Sequence, residues 1–164
     1  MPKLRTEAII PLPREEVFPF FAEAENLEKI TPASLRFEIL TPQPIQMAEG
    51  LLIDYRLRIG GLPQRWRTRI SLWDPPFQFA DEQLKGPYRK WFHTHTFYDS
   101  DEGTRMVDEV DYELPLAPLG NVAHPLIRMQ LKKIFSHRNR VIGDFLPLPP
   151  SKGIIRGPIE FLAS

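Results

Sequence analysis

Trp91, His93, His95 and Phe97 place two imidazoles between two large aromatic rings at every second position. In a strand such residues share one face, and the aromatic residues turn that face inward, so both imidazoles lie in apolar surroundings. Met106, Asp108, Val110 and Tyr112 repeat the pattern on the following segment. His93, His95 and Asp108 are therefore candidate polar groups inside an apolar concavity. A buried His–Asp pair satisfies both partners, and it can orient a ligand by hydrogen bonding or relay a proton. His-x-His on one strand face is also a metal-ligand spacing, with Asp108 as a candidate third ligand. The remaining histidines, His124 and His137, supply no second clustered pair. The chain is therefore expected to hold no metal and no cofactor. It also has no Gly-rich phosphate loop, Gly-x-Ser-x-Gly elbow or nucleotide fingerprint.

The elements that must position these groups follow from periodicity. Leu4–Leu12 reads as a strand, followed by two short helices, Pro13–Ala22 (containing Pro19) and Ala24–Ile30, the second stopped by Thr31-Pro32. From Leu35 the period becomes two. Strands are expected at Leu35–Ile39, Leu51–Ile59, Arg65–Leu72, Phe77–Leu84, Tyr88–Tyr98 and Thr104–Leu114, with Gly60-Gly61 a strong hairpin signal. Trp66, Thr68, Ile70 and Leu72 should face inward; Arg65, Arg67 and Arg69 should face water. A last helix from Asn121 or Pro125 to Phe145 aligns Ile127, Leu131, Ile134, Phe135, Ile142 and Phe145 in one apolar stripe. Arg128, Lys132, Lys133, Arg138 and Arg140 are assigned to its outer face. A half-apolar sheet needs a cover, and this helix is the candidate. The expected fold is α+β, with about seven antiparallel strands in the order β-α-α-β6-α curved around the helix. Residues 1–146 form a single domain in this reading, and 147–164 a Pro/Gly-containing tail that docks loosely if at all.

Composition narrows the function classes. Lys+Arg and Asp+Glu balance at 21 each, so no overall field draws the chain to nucleic acid or an anionic surface. The arginines interleaved with Trp66 lie on the opposite sheet face, which removes a stacking platform for bases. Absence of cysteine excludes disulfides and thiolate chemistry. Met1–Glu7 holds no apolar core of signal-peptide length, and no apolar run approaches the roughly 20 residues that span a bilayer. The expectation is a cytoplasmic protein without stable membrane insertion.

The segments Ile39-Leu40-Thr41-Pro42, Gly50 with Ile53-Asp54-Tyr55, and Trp73-x-Pro75-Pro76 carry a family resemblance. So do Asp81-Glu82-Gln83-x-x-Gly86-Pro87-Tyr88-x-x-Trp91-x-His93-x-His95-x-Phe97, Gly103-Thr104-x-Met106-x-Asp108 and Ile134-Phe135. From about Thr6 to Phe145 the chain resembles the START/SRPBCC superfamily, and within it the bacterial ligand-binding, polyketide cyclase/dehydrase-like proteins. The resemblance implies a helix-grip fold with a pocket between sheet and helix, in a superfamily of both carriers and enzymes.

The expected pocket is lined by Tyr55, Trp66, Thr68, Ile70, Gln83, Trp91, His93, His95, Phe97, Met106, Asp108 and Tyr112 from the sheet, and by Leu131, Ile134 and Phe135 from the helix. Tyr55, Thr68 and Gln83 add the few polar contacts of a small-molecule site. Three functions remain open: binding or transport of a small hydrophobic molecule (lipid, polyketide or aromatic metabolite), a cyclase/dehydratase-type enzyme using the His/Asp pair, and a protein–protein module, including a homodimer.

Overall fold

Period-two alternation carries most of the chain into one curved antiparallel sheet, which the computed structural model describes over residues 2–115 and 120–163. Strand β1 (Lys3–Ile10) precedes helices α1 (Arg14–Ala22) and α2 (Asn26–Ile30). Six strands follow: β2 (Glu38–Ile39), β3 (Leu52–Ile59), β4 (Leu62–Asp74), β5 (Gln78–Lys85), β6 (Lys90–Ser100) and β7 (Gly103–Glu113). Helix α3 (Gly120–Val141) and the short strands β8 (Ile155–Arg156) and β9 (Glu160–Leu162) complete the order. The strands run β2-β3-β4-β5-β6-β7-β1-β8 across the sheet, and β9 also pairs with β1. The helix-grip fold expected from the sequence is the one observed. None of the described helices is long and apolar enough to cross a membrane.

Three apolar clusters hold these elements together. Phe18 of α1 packs its ring 5.2 Å from Phe97 and 5.8 Å from Phe79, anchoring α1 to β5 and β6. Leu131 and Phe135 of α3 pack on Leu4, Val110 and Tyr112 of β1 and β7. Ile53, Tyr55 and Ile70 form the third cluster with Ile39 and Ala24. Between the second and third clusters the helix stands off the sheet.

Two glycine turns set strand register. Gly60 and Gly61 have φ of 57° and 82°, the left-handed pair that closes a two-residue hairpin. Gly103 has φ of 129°, and a Cβ there would lie 2.1 Å from the Ile10 carbonyl oxygen. Gly103→Ala is expected to cost about 2–3 kcal/mol, measured as a lower urea midpoint; an unchanged midpoint would refute the close approach.

Five readings are corrected. Leu35 sits in a 3-10 turn (Ala33–Leu35) followed by Arg36 at φ 44°, so β2 shrinks to two residues. The β4–β5 register shifts between Ile70 and Leu72, pairing Leu72 with Ala80 and Trp73 with Phe79. A bulge moves every later side chain to the other face, so Trp73, not Leu72, packs inward beside Phe18. Helix α3 ends at Val141, and Phe145 leaves the stripe to lie 44% exposed. Arg138, assigned to the outer face, is buried. The tail also pairs: Ala8 and Ile9 with β8, Lys3–Arg5 with β9. The Arg156 guanidinium donates to the Asn139 carbonyl at 2.6 Å, tying the tail to α3 as well.

Candidate functional site

Register across the three central strands assembles the polar groups. Asp81 on β5 is opposite His93 on β6, and His95 on β6 is opposite Asp108 on β7. Opposed residues of an antiparallel pair present their side chains to the same face, so two carboxylates flank two imidazoles. His93 Nδ1 lies 3.7 Å from Asp81 Oδ2, and its Nε2 lies 3.4 Å from Asp108 Oδ1. His95 Nε2 lies 3.4 Å from the same Asp81 oxygen, and its Nδ1 lies 2.6 Å from Asp108 Oδ1. Each ring therefore bridges the gap between the carboxylates.

Packing locks the rings. Phe79 stacks on His95 at 4.2 Å and 17°, Phe135 meets His93 edge-on at 5.8 Å, and the two imidazole centroids are 3.8 Å apart. From α3, Arg138 brings Nη2 to 4.0 Å from Asp108 Oδ2. The inner contacts are close but misaligned for hydrogen bonding: His93 Nε2, His95 Nδ1 and Asp108 Oδ1 are buried with no hydrogen-bond partner among the described residues. Charge proximity is what binds the inner half of the cluster.

The environment splits the two imidazoles. Burial lowers the His93 pKa, and His95 beside it lowers it further against the pull of the aspartates. Burial also disfavours charge on His95, but Asp108 and Asp81 together outweigh it and raise its pKa. Burial opposes ionisation of Asp108, yet Arg138 and the imidazoles prevail and hold it well below the usual carboxylate range. Adjacent titratable groups pushed apart in this way are a recurring feature of sites that move protons or bind charge.

The cluster opens on a partly open cavity of about 190 Å³ between α3 and the sheet. Of the residues expected on its wall, Tyr55, Trp66, Thr68, Ile70, Trp91, His93, His95, Leu131, Ile134 and Phe135 border it. The Trp66 indole N–H donates to Thr68 Oγ1 at 3.1 Å. Burial, and then the charge of Asp81, raise the Tyr55 pKa, so this phenol stays neutral.

The other expected lining residues lie elsewhere. Phe97 and Met106 are closed into the α1 core, and Tyr112 into the β1–β7–α3 core. Gln83 Nε2 donates to the Tyr88 carbonyl at 2.7 Å, and Gln83 Oε1 accepts from the Tyr88 N–H, so this side chain braces the β5–β6 turn. Asp108 stands behind the histidines, off the cavity wall.

Sequence reasoning missed several wall residues. Asp81 follows Phe79 by two and shares its inward face, a signal that alternation carries. Arg138 follows Leu131 by seven and Phe135 by three, which places it on the apolar stripe despite its charge. Tyr88, in a turn, and Phe20, Phe21, Ala24, Leu27 and Ile30, from the α1–α2 segment, also border the cavity. No periodicity aims a turn or a second element at a distant pocket.

A family model described as polyketide cyclase / dehydrase and lipid transport matches residues 10–136. Among solved structures, a protein from Thermus thermophilus aligns with TM-score 0.65 at 22% identity, covering 84% of this chain and 92% of that one. A START superfamily protein from Mycobacterium smegmatis aligns with TM-score 0.64 at 13% identity over 86% and 97% of the two chains. A protein from Arthrobacter aurescens gives 0.63 at 12% identity over 83% and 80%. At these identities the likeness is one of fold. No curated protein matches the chain.

Proposed function

This chain belongs to the polyketide cyclase / dehydrase and lipid transport family, and we propose that it binds a small, mostly hydrophobic molecule in the cavity between α3 and the sheet. One observation carries the reading: a cavity of about 190 Å³ with mainly aromatic and aliphatic walls, in which Asp81, His93 and His95 form a compact polar cluster. Apolar walls supply affinity through area removed from water, and a few fixed polar groups set orientation. A dry cavity of roughly 150 Å³ takes a benzene ring, so the volume suits a compact ring-bearing molecule. Trp66, Tyr88 and Trp91, with ring centroids 4.8–5.7 Å apart, form an aromatic wall against which such a ring packs.

Native mass spectrometry of protein purified without denaturation tests this. A non-covalent adduct is expected, lost on organic extraction, after which an apolar fluorescent probe binds saturably. The absence of both an adduct and saturable binding would refute the reading.

The patch itself favours a second reading, an enzyme of the cyclase/dehydratase class in which His93 or His95 moves a proton. In that case His93→Gln and His95→Gln lose turnover while retaining the extracted molecule. Retained turnover in both variants would eliminate it.

A further inference from the structure

We propose that Asp81, His93 and His95 form a binding site for one divalent first-row transition-metal ion, with its open coordination positions facing the cavity. Asp81 Oδ2 lies 3.7 Å from His93 Nδ1 and 3.4 Å from His95 Nε2. Donors bound to one ion at about 2.0–2.2 Å, in tetrahedral or octahedral geometry, stand roughly 3.0–3.5 Å from each other. The three ligand atoms lie within 4.8 Å of one another, so a closure of at most about 1.5 Å brings them around one ion. Two imidazoles and one carboxylate are the ligand set of zinc and non-haem iron centres that keep positions open.

Two further features point to a cation. Asp81 and Asp108 set two negative charges against the single positive charge of Arg138, leaving the imidazole pair facing an excess of negative charge. The ring nitrogens turned away from Asp81 both face Asp108 Oδ1, at 3.4 and 2.6 Å. A carboxylate therefore stands beside the far ring nitrogen of each histidine, in the place an outer-shell partner takes, and acts there through its charge. Asp108 thus serves both rings from behind while Asp81 faces the cavity. The assignment replaces Asp108 by Asp81 as third ligand, a choice that His-x-His spacing alone could not make. It does not depend on the cavity taking an apolar molecule; an oxygen of that molecule or water would fill the open positions.

Chelator-treated protein is titrated with Zn²⁺ alone by calorimetry, and with Co²⁺ alone by its visible d–d absorption. One ion per chain is expected, and Asp81→Asn, checked for folding by circular dichroism, should weaken Zn²⁺ roughly 100-fold while His137→Ala changes nothing. In imidazole NMR of the unaltered protein, Zn²⁺ should move the His93 and His95 signals and leave His124 and His137 in place, a readout that needs no variant to fold. Absence of stoichiometric uptake, uptake that folded Asp81→Asn retains in full, or NMR shifts confined to His124 or His137 would overturn the site. Apolar-probe binding in the same metal-free protein reports separately on the cavity.

Discussion

Asp108→Ala is expected to lower the unfolding free energy by about 3–5 kcal/mol, the cost of leaving a buried charge without its partner. Asp108 is 3% exposed and is the carboxylate nearest the Arg138 guanidinium, itself 7% exposed. Removing the carboxylate leaves Arg138 buried beside rings that offer it only weak π-face contacts, Phe21 at 5.5 Å and Phe135 at 6.0 Å. It also removes the charge that His95 approaches most closely. Urea denaturation with an unchanged slope and a shifted midpoint reads the loss. The double variant Asp108→Ala, Arg138→Met separates the two causes. If the stranded guanidinium dominates, adding the apolar substitution recovers much of the stability, and the cycle shows strong coupling. A loss below about 1 kcal/mol in the single variant would mean that the inner cluster is poorly coupled to folding.

Ile134→Trp is expected to weaken binding of an apolar probe roughly 100-fold, about 2.7 kcal/mol, without loss of thermal stability. Ile134 is half-buried on α3 and borders the cavity. An indole there projects into empty space instead of displacing packed neighbours, so the wall gains dispersion contacts as the volume for a ligand shrinks. Leu126→Trp is the control, because Leu126 is 64% exposed and its enlargement leaves the cavity untouched. Equal probe affinity in Ile134→Trp and the unaltered protein would place the binding site elsewhere. A large drop in melting temperature would mean instead that the cavity is too small to accept the ring.

The architecture was legible because its signals are local. Alternation marked β3 through β7, the Gly60-Gly61 pair closed its hairpin through two positive φ angles, and the 3.6-residue stripe drew α3 through Leu131 and Phe135. The same rule put His93, His95 and Asp108 on one buried face, because side-chain direction in a regular strand depends only on parity. Parity failed at Leu72, where a bulge in β4 changed the count by one. It could not place Tyr88, Gln83 or the α1–α2 wall, whose positions depend on turns and docking.

What only the tertiary structure decided was which charged groups meet. Strand pairing set Asp81 opposite His93 and Asp108 opposite His95, and no reading along a single strand contains that register. Asp108 went behind the rings and Asp81 in front, although either carboxylate satisfied the linear pattern. Arg138 was drawn into the core against its hydropathy because Asp108 stood there to meet it, a pairing between β7 and α3. The tail joined the sheet because β1 still had an unpaired edge, and backbone groups on such an edge seek partners irrespective of the residues that carry them. The residue types and their spacing thus determined the container and the identity of its polar groups, whereas long-range packing determined their geometry and so the chemistry open to them.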